Sequence, residues 1–305
     1  MAANAVEVED LRKSYGPVQA LRGVSFTVAE GEVFALLGPN GAGKTTTVEI
    51  LEGFRRRDGG RASVLGFDSA SGGRRLKEQM GIVLQTSGVD PYLTVAETVD
   101  MFRGYYPRPR SRDEVLRLVG LEDKRDSRVT RLSGGQKRRL DVAIALAGDP
   151  RVLFLDEPTT GFDPGARRNA WEVIKGLAGL GKTIFLTSHS MDEVQYLADR
   201  VVIIAAGRIV AEGTPETLVG ARPAKTVIRF QAPRTPLPET LRKMARVDGE
   251  TVELETEDPT RILFELTSWA VNAGSSLDGL QVTRPSLEDV YLQITNEAEA
   301  LGAPA

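Results

Sequence analysis

The sequence predicts an α/β fold in which a mostly parallel sheet is covered by helices on both faces. Short, continuously apolar runs of strand length alternate with segments of helical periodicity up to about residue 220. One stretch, 93–131, contains no strand pattern and indicates a helical lobe set on this core. From about residue 222 the pattern changes to short alternating strands and two helices, which indicates a small α+β domain.

The core elements follow from apolar runs and from the residues that begin helices. The strands of the core are predicted at VFALLG, RASVLGFD, MGIVLQ, RVLFLDE and KTIFLTSH, and a hairpin at RVVIIAAGRIVAEG. Helix starts are marked by a capping residue followed by an acidic residue or by proline. These pairs are Thr94 with Glu97, Ser111 with Glu114, Asp163 with Pro164, and Ser190 with Glu193.

The last third of the chain has a different pattern. Strands are predicted at TVIRFQ, TVELETE and GLQVTRP, and helices at RILFELTSWAVNAG and SLEDVYLQIT, the latter capped by Ser286. We therefore expect a first domain over residues 1–221, with its helical lobe over about 86–146. A C-terminal accessory α+β domain is expected over residues 222–305.

Composition limits the possible functions. The chain has 305 residues, a formal net charge of −3 and no cysteine, which excludes disulfides, thiolate metal sites and cysteine nucleophiles. A mild negative charge does not support nucleic-acid binding, so no nucleic-acid partner is expected. The short basic runs 55–57, 74–75 and 137–139 are expected to be solvated helix faces. With no long apolar run and no signal peptide, the expected compartment is the cytoplasm.

The segment GPNGAGKT, residues 38–45, matches the phosphate-binding pattern G-x-x-x-x-G-K-[ST]. Its glycines allow consecutive backbone N–H groups to surround phosphate oxygens. The ammonium of Lys44 can reach the β- and γ-phosphates, and the Thr45 hydroxyl can ligate Mg²⁺. The predicted nucleotide contacts of this loop are Gly38, Pro39, Asn40, Gly41, Ala42, Gly43, Lys44, Thr45 and Thr46.

Two acidic residues follow a second buried strand. An aspartate at the position of Asp156 can hold Mg²⁺ beside a phosphate loop, and the adjacent Glu157 can orient or deprotonate the attacking water. His189, the one histidine of the chain, follows another apolar strand. From its residue type alone it is more readily a strand-end histidine with a structural hydrogen bond, and a lone histidine argues against a histidine-based metal site.

A second glycine motif, LSGGQ at residues 132–136, also precedes a helix. Ser133 and the N–H groups of Gly134 and Gly135 would form a second anion-binding helix start, with Gln136 beside them. One compact chain cannot easily enclose one nucleotide between two such starts. A head-to-tail dimer can, because each phosphate loop then faces the LSGGQ segment of the other copy.

The segments GPNGAGKTT, LSGGQ, LFLDEP, TTGFD and TSH, together with Gln85, resemble ATP-binding-cassette (ABC) transporter ATPases in residue type and order. The resemblance covers about residues 5–220. It implies a P-loop NTPase core with an antiparallel β subdomain and an inserted helical lobe, with ATP and Mg²⁺ as cofactors. Phe162 stands where the family usually has leucine, a change of bulk that leaves the chemistry intact.

The same resemblance implies roles for residues that the motifs alone leave open. Tyr15 would stack on adenine. Gln85 would sense the γ-phosphate, join Thr45 and Asp156 as a Mg²⁺ ligand, and touch a membrane subunit. Asp163 would lie in the loop that links two nucleotide sites, and His189 would contact the γ-phosphate, in place of the structural role above. Glu157, His189 and Gln85 are thus the expected catalytic residues.

The end of the chain, RPSLEDVYLQIT, is similar to drug-exporter ATPases of the daunorubicin-resistance type, which work with a separately encoded integral-membrane permease. This implies an ATP-hydrolysing exporter subunit, for a drug, antibiotic or lipid-like cargo, peripheral to the cytoplasmic face of the membrane. It would act as a homodimer or with a paired ATPase subunit. The alternatives are a single-cassette ABC ATPase without a transport role and a generic P-loop kinase or GTPase. The LSGGQ segment and His189 disfavour the latter.

Overall fold

The computed structural model describes residues 3–84, 88–220, 226–233, 235–283 and 286–302. The chain divides into two compact units. The first consists of Met1–Pro215 with Ile294–Ala305, and the second of Glu216–Gln293. Each unit has its own hydrophobic core.

Both units consist of strands and α-helices, which are numbered together in chain order. The strands are β1 Asn4–Tyr15, β2 Val18–Ala29, β3 Val33–Leu37, β4 Gly59–Val64, β5 Phe67–Asp68, β6 Met80–Val83, β7 Val152–Asp156, β8 Thr183–Ser188, β9 Arg200–Ala205, β10 Arg208–Gly213, β11 Thr226–Gln231, β12 Ala245–Asp248, β13 Thr251–Thr256 and β14 Gln281–Thr283. The α-helices are α1 Lys44–Leu51, α2 Gly73–Lys77, α3 Val95–Arg103, α4 Arg112–Leu118, α5 Gly134–Leu146, α6 Pro164–Gly179, α7 Met191–Leu197, α8 Pro215–Gly220, α9 Glu239–Met244, α10 Pro259–Asn272 and α11 Leu287–Gly302.

The central sheet has the order β10-β9-β3-β8-β7-β6, and its strands from β9 to β6 run parallel. Every residue of β3 and of β8 is buried, as expected for parallel strands covered on both faces. The predicted α/β class with a mostly parallel sheet is confirmed. Since β3, β8 and β7 are neighbours, their carboxyl ends meet at one edge of the sheet, where ligands bind in folds of this kind.

A second, antiparallel sheet has the order β2-β1-β4-β5, and it confirms the antiparallel subdomain. It packs on the central sheet through aromatic rings. The ring of Phe26 stacks on that of Phe34 with centroids 5.2 Å apart, and Phe34 in turn contacts Phe185 at 5.0 Å. The segment RASVLGFD is two short strands rather than one, because Leu65 and Gly66 both have positive φ and turn the chain.

The helical lobe consists of α3, α4 and α5 with two 3₁₀ turns, Glu122–Lys124 and Val129–Arg131. The predicted caps are present. Thr94 and Glu97 form a reciprocal capping box, and the Ser111 hydroxyl accepts from the backbone N–H of Glu114. The helical character predicted for this stretch is confirmed over its described residues.

The second unit is a four-stranded antiparallel sheet, β12-β13-β11-β14, with α9 and α10 beside it. Its core contains Ile228, Phe230, Leu254 and Leu266. Strands β11, β13 and β14 and helices α10 and α11 fall where the sequence predicts them, whereas α9 and β12 were not predicted. Among the helices of the described ranges, none has both the length and the apolar character needed to cross a bilayer.

Candidate active site

The loop between β3 and α1 is shaped by close backbone contacts. A Cβ on Gly38 would lie 2.3 Å from the carbonyl oxygen of Ile204, so a side chain there would displace the backbone. Gly43 has φ +109°, and a Cβ on it would lie 2.7 Å from the carbonyl oxygen of Ala20. Gly43 also leaves α1 without a side-chain cap, and the first turn of α1 carries no acidic residue. The first N–H groups of α1 are therefore suited to an anion.

Lys44 lies inside this loop with only 8% of its surface exposed. Its Nζ donates to the carbonyl oxygens of Gly38 and Pro39, at 2.6 and 3.1 Å. Burial lowers the pKa of the Lys44 ammonium, and the negative charges of Glu157 and Asp156 act against this shift. The phosphate loop after β3 and the two carboxylates at the end of β7 therefore belong to one electrostatic site.

The side chains at the start of α1 differ in exposure. Thr45, the predicted Mg²⁺ ligand, is exposed, and Thr46 is half-buried. The hydroxyls of Thr46 and Tyr15 lie 3.4 Å apart. The Arg55 guanidinium and the Lys13 ammonium lie 5.2 and 5.6 Å from the centre of the Tyr15 ring, which is 39% exposed. The structure thus brings an accessible aromatic ring next to the phosphate loop, as an adenine-stacking role requires.

The end of β7 carries the two acidic residues. Asp156 accepts a hydrogen bond from the hydroxyl of Thr187 on β8. Glu157 adopts a left-handed backbone conformation, with φ +47°, and its N–H lies 3.2 Å from both the carbonyl and the hydroxyl oxygen of Thr187. One carboxylate oxygen of Glu157 accepts from the Thr160 hydroxyl at 3.1 Å. Thr187 therefore orients both acidic residues, a role that sequence reasoning missed.

His189 follows β8 and faces the same carboxylate. Its Nδ1 lies 3.4 Å from Oε1 of Glu157, and its side chain is 62% exposed against 20% for Glu157. The ring is thus accessible to a ligand at the edge of the sheet. It also lies within reach of the Glu157 carboxylate, and its contact with a γ-phosphate stays a prediction.

A second group of predicted residues lies at the N-termini of α5 and α6. Ser133 and Gln136 form a reciprocal capping box on α5, with distances of 3.3 and 2.9 Å. The Asp163 carboxylate caps α6, as predicted, by accepting from the N–H groups of Gly165 and Ala166 at 2.9 and 3.0 Å.

The two helix starts border an open cavity of about 550 Å³. Its lining includes Ser133, Gly134, Gly135, Gln136, Phe162 and Asp163. Within the described chain, no residue of 38–46 lines it. The predicted site residues thus fall into two sets. One surrounds Lys44, Asp156, Glu157 and His189, and the other surrounds Ser133 and Asp163. Gln85 lies outside the described residues.

The expectation that residues 137–139 form a solvated face is wrong for Arg138. This side chain is buried, and its guanidinium donates to four backbone carbonyls: those of Leu84, Asp156, Glu157 and Pro158. Sequence reasoning missed the residue because its acceptors come from distant parts of the chain.

Sequence comparison agrees with the motifs. A family model described as ABC transporter matches residues 21–160, and one described as ABC transporter domain-containing protein-like, C-terminal domain, matches residues 226–286. The chain is 39% identical to daunorubicin resistance ATP-binding protein DrrA2 of Streptomyces coeruleorubidus, over 97% of this chain and 96% of that protein. It is also 39% identical to Nod factor export ATP-binding protein I of Rhizobium sp. (strain N33), over 97% and 98%.

Structural comparison gives the same result over part of the chain. A dimeric ATP-binding cassette solved in a post-hydrolysis state with ADP and Pi aligns with a TM-score of 0.61 and 25% identity. The alignment covers 68% of this chain and 98% of that cassette.

Proposed function

The chain belongs to the ABC transporter family as one of its ATP-binding ATPases, and from this premise we propose that it is the ATP-hydrolysing subunit of an exporter. Two copies, or one copy and a paired ATPase subunit, would close head-to-tail on two ATP molecules. This closure would drive a separate integral-membrane permease.

The observation that carries the proposal is the separation of the predicted site residues into two sets. The Lys44 loop offers an uncapped helix start, and the Ser133 and Asp163 helix starts border a different cavity. The Lys44 loop and the start of α5 suit an anion, because helix N-termini attract negative charge. At the start of α6 the Asp163 carboxylate already supplies the negative charge. A dimer that pairs the Lys44 loop of one copy with the Ser133 helix start of its partner would place both sets on one nucleotide.

The residues at the edge of the sheet fit a magnesium ion bound with the phosphates. Mg²⁺ keeps several waters and takes few protein ligands, usually oxygen atoms. The exposed Thr45 hydroxyl and the Asp156 carboxylate, oriented by Thr187, are such donors. When bound, the ion neutralises charge on the phosphate oxygens. The Lys44 ammonium would neutralise charge on the same phosphates from inside the loop.

Glu157 would act on the attacking water. Its carboxylate is mostly buried and is oriented through Thr160 and His189, so it can accept a proton from water at the mouth of the site. His189, being exposed, would donate a hydrogen bond to the γ-phosphate. Hydrolysis would then add separate charges to the closed site and favour its opening, so that ATP and ADP bias the dimer in opposite directions.

The export role rests on the relatives. Two relatives that align over nearly the whole length of this chain carry names that refer to drug resistance and Nod factor export. By this similarity the cargo would be a drug, an antibiotic or a lipid-like molecule, and the subunit would lie on the cytoplasmic face of the membrane. The permease would be a separate protein.

The experiment that tests the proposal uses Glu157→Gln. The amide cannot accept the proton, so the variant should bind ATP, stop turning over and accumulate as an ATP-dependent dimer in size-exclusion chromatography. The control is Glu78→Gln, which removes a surface carboxylate paired with Arg74 and should hydrolyse ATP normally. A Glu157→Gln protein that stays monomeric and active would refute the assignment. Isolation of the tagged wild type from membranes, with no integral-membrane partner bound, would refute the transport role alone.

A further inference from the structure

Arg138 occupies an unusual position for a cation. It lies on α5, one turn after the Ser133 cap, and only 9% of its surface is exposed. Its guanidinium donates from Nε to the Pro158 carbonyl at 3.1 Å and from Nη2 to the carbonyls of Asp156 and Glu157 at 2.9 and 3.4 Å. A further donation, from Nη1, goes to the Leu84 carbonyl. Backbone oxygens from two separate segments therefore share one side chain.

These carbonyls lie where β6 and β7 stop pairing. The last rung of this parallel pair joins Val83 to Leu155, and the next residues, Leu84 and Asp156, continue without a rung. The contact with the Pro158 carbonyl is buried and the other three are partly buried. A buried carbonyl without a hydrogen bond costs about 1–3 kcal/mol. The guanidinium supplies donors to both segments beyond the end of the ladder, and so it keeps the two strand ends in register.

The contact with Glu157 has a consequence for the carboxylate. A residue other than glycine pays about 1–2 kcal/mol to adopt a left-handed backbone conformation, so this conformation has to be held by its surroundings. Thr187 holds the N–H of Glu157, and Arg138 approaches its carbonyl. The peptide groups on both sides of Glu157 are thereby restrained, and they determine where the side chain points.

We propose that Arg138 is a positioning residue for hydrolysis, which holds the backbone of residues 156–158 so that the Glu157 carboxylate keeps its orientation toward water. This inference rests on the proposed function of Glu157. Through Leu84 the same side chain also ties the residue that directly precedes Gln85 to the helix of the LSGGQ segment.

Only arginine fits this position. Guanidinium carries five N–H donors in a planar fork, whereas the lysine ammonium is a single point with three donors. The charge is balanced by Asp141, whose carboxylate lies 3.8 Å away. Burial lowers the pKa of Arg138, and the carboxylates of Asp141, Asp156 and Glu193 act against that shift. Lysine would keep the charge but lose most of the carbonyl contacts.

The test is steady-state ATP hydrolysis by Arg138→Lys. A misplaced Glu157 should lower kcat by about 10- to 100-fold. The KM for ATP and the ATP affinity measured directly should stay within about threefold of wild type, because the Lys44 loop is untouched. Arg110→Lys is the matched control. Arg110 is also an arginine with a mostly covered side chain, paired with Asp149 and Glu114, and its replacement should leave kcat unchanged.

A double-mutant cycle separates positioning from a general effect on folding. If Arg138 acts through Glu157, Arg138→Lys should lower the residual rate of Glu157→Gln by less than about twofold. Should Arg138→Lys fail to unfold cooperatively, Arg138→Gln, which is uncharged and has two donors, takes its place. A folded variant with wild-type kcat, or additive losses in the cycle, would overturn the inference. A wild-type protein without ATPase activity would instead refute the proposed function.

Discussion

The buried carboxyl of Glu52 should make the free energy of unfolding depend on pH. This glutamate is the C-cap of α1, at the end of the helix opposite the phosphate loop, and only 3% of its surface is exposed. Burial raises its pKa from 4.5 to about 8, with further contributions from the charges of Asp156 and Glu49. The folded protein therefore keeps a proton on Glu52 over a pH range in which the unfolded chain has lost it.

The sign follows from proton linkage. The contribution of the neutral carboxyl to stability is fully present below pH 4.5 and is lost as the pH rises through about 8. One pKa unit corresponds to about 1.4 kcal/mol. Between about pH 5 and pH 8 the wild type should lose about 3–4 kcal/mol of unfolding free energy through this group. Glu52→Gln, which resembles the neutral carboxyl in shape, should not show this loss.

The assay is urea unfolding followed by tryptophan fluorescence. The chain has two tryptophans, and Trp269 lies in the second unit, so a Trp269→Phe background leaves Trp171 to report on the unit that contains Glu52. The stability difference between Glu52→Gln and its background should be below about 1 kcal/mol at pH 5 and should grow with pH. If the difference in unfolding free energy were the same at about pH 5 and about pH 8, Glu52 would not be a buried neutral carboxyl.

Other predictions concern the phosphate loop. Lys44→Ala should fold normally but lose ATP binding in equilibrium titration, because the cation that meets the phosphates is gone. Gly38→Ala should lose both stability and ATP affinity, since its Cβ would lie 2.3 Å from the Ile204 carbonyl oxygen. In Gly176→Ala the Cβ meets no atom within 4 Å. This substitution in α6 should raise the free energy of unfolding by about 0.5–1 kcal/mol without a change in ATP affinity. Equal effects of the two glycine substitutions on ATP affinity would contradict the steric argument.

Features that depend on short sequence separations were predictable. The phosphate loop, the capping box at Thr94 and the Asp163 cap each involve residues within a few positions of one another. All the interacting residues of each feature can therefore be found in one short segment of the sequence. Both buried strands that carry the acidic residues and His189 were found for a similar reason, because a fully buried strand is a continuous apolar run.

Strands β1 and β2 could not be located from alternation. Their pairing shifts register several times, and Asp10 has φ +47° in the middle of β1. Such bulges interrupt the period of two that marks a strand. The antiparallel subdomain was predicted instead from the resemblance to ABC transporter ATPases. The turn at Leu65 and Gly66 was missed because RASVLGFD is apolar enough to be taken as one strand.

Arg138 shows the limit for side chains whose partners are distant in sequence. Within KRR nothing distinguishes it from its neighbours, since all three are basic and the helix could turn any of them to solvent. Its acceptors lie 18 to 54 positions away. Thr187 was missed for the same reason, because it contacts Asp156 and Glu157 only across the β7–β8 pair.

Mixing two inactive variants tests whether each ATP lies between the Lys44 loop of one copy and the Ser133 helix start of the other. Ser133→Arg blocks one half of a composite site and Lys44→Ala the other half. Ser133→Ala is the control, because it also removes the side-chain cap of α5 but adds no bulk or charge. Loss of this cap should lower the free energy of unfolding by about 1 kcal/mol. In a mixed dimer, one site carries both lesions and the other carries none.

The measurement is ATP hydrolysis across mixing ratios of Ser133→Arg and Lys44→Ala. Random exchange makes half of the dimers mixed, and each mixed dimer has one intact site of two. Since one intact site should turn over, the rate at equal amounts should recover to about a quarter of the wild-type rate. If Ser133 served the nucleotide of its own chain, every site would keep one lesion, and a rate no higher than that of the two parents at any ratio would contradict the claim.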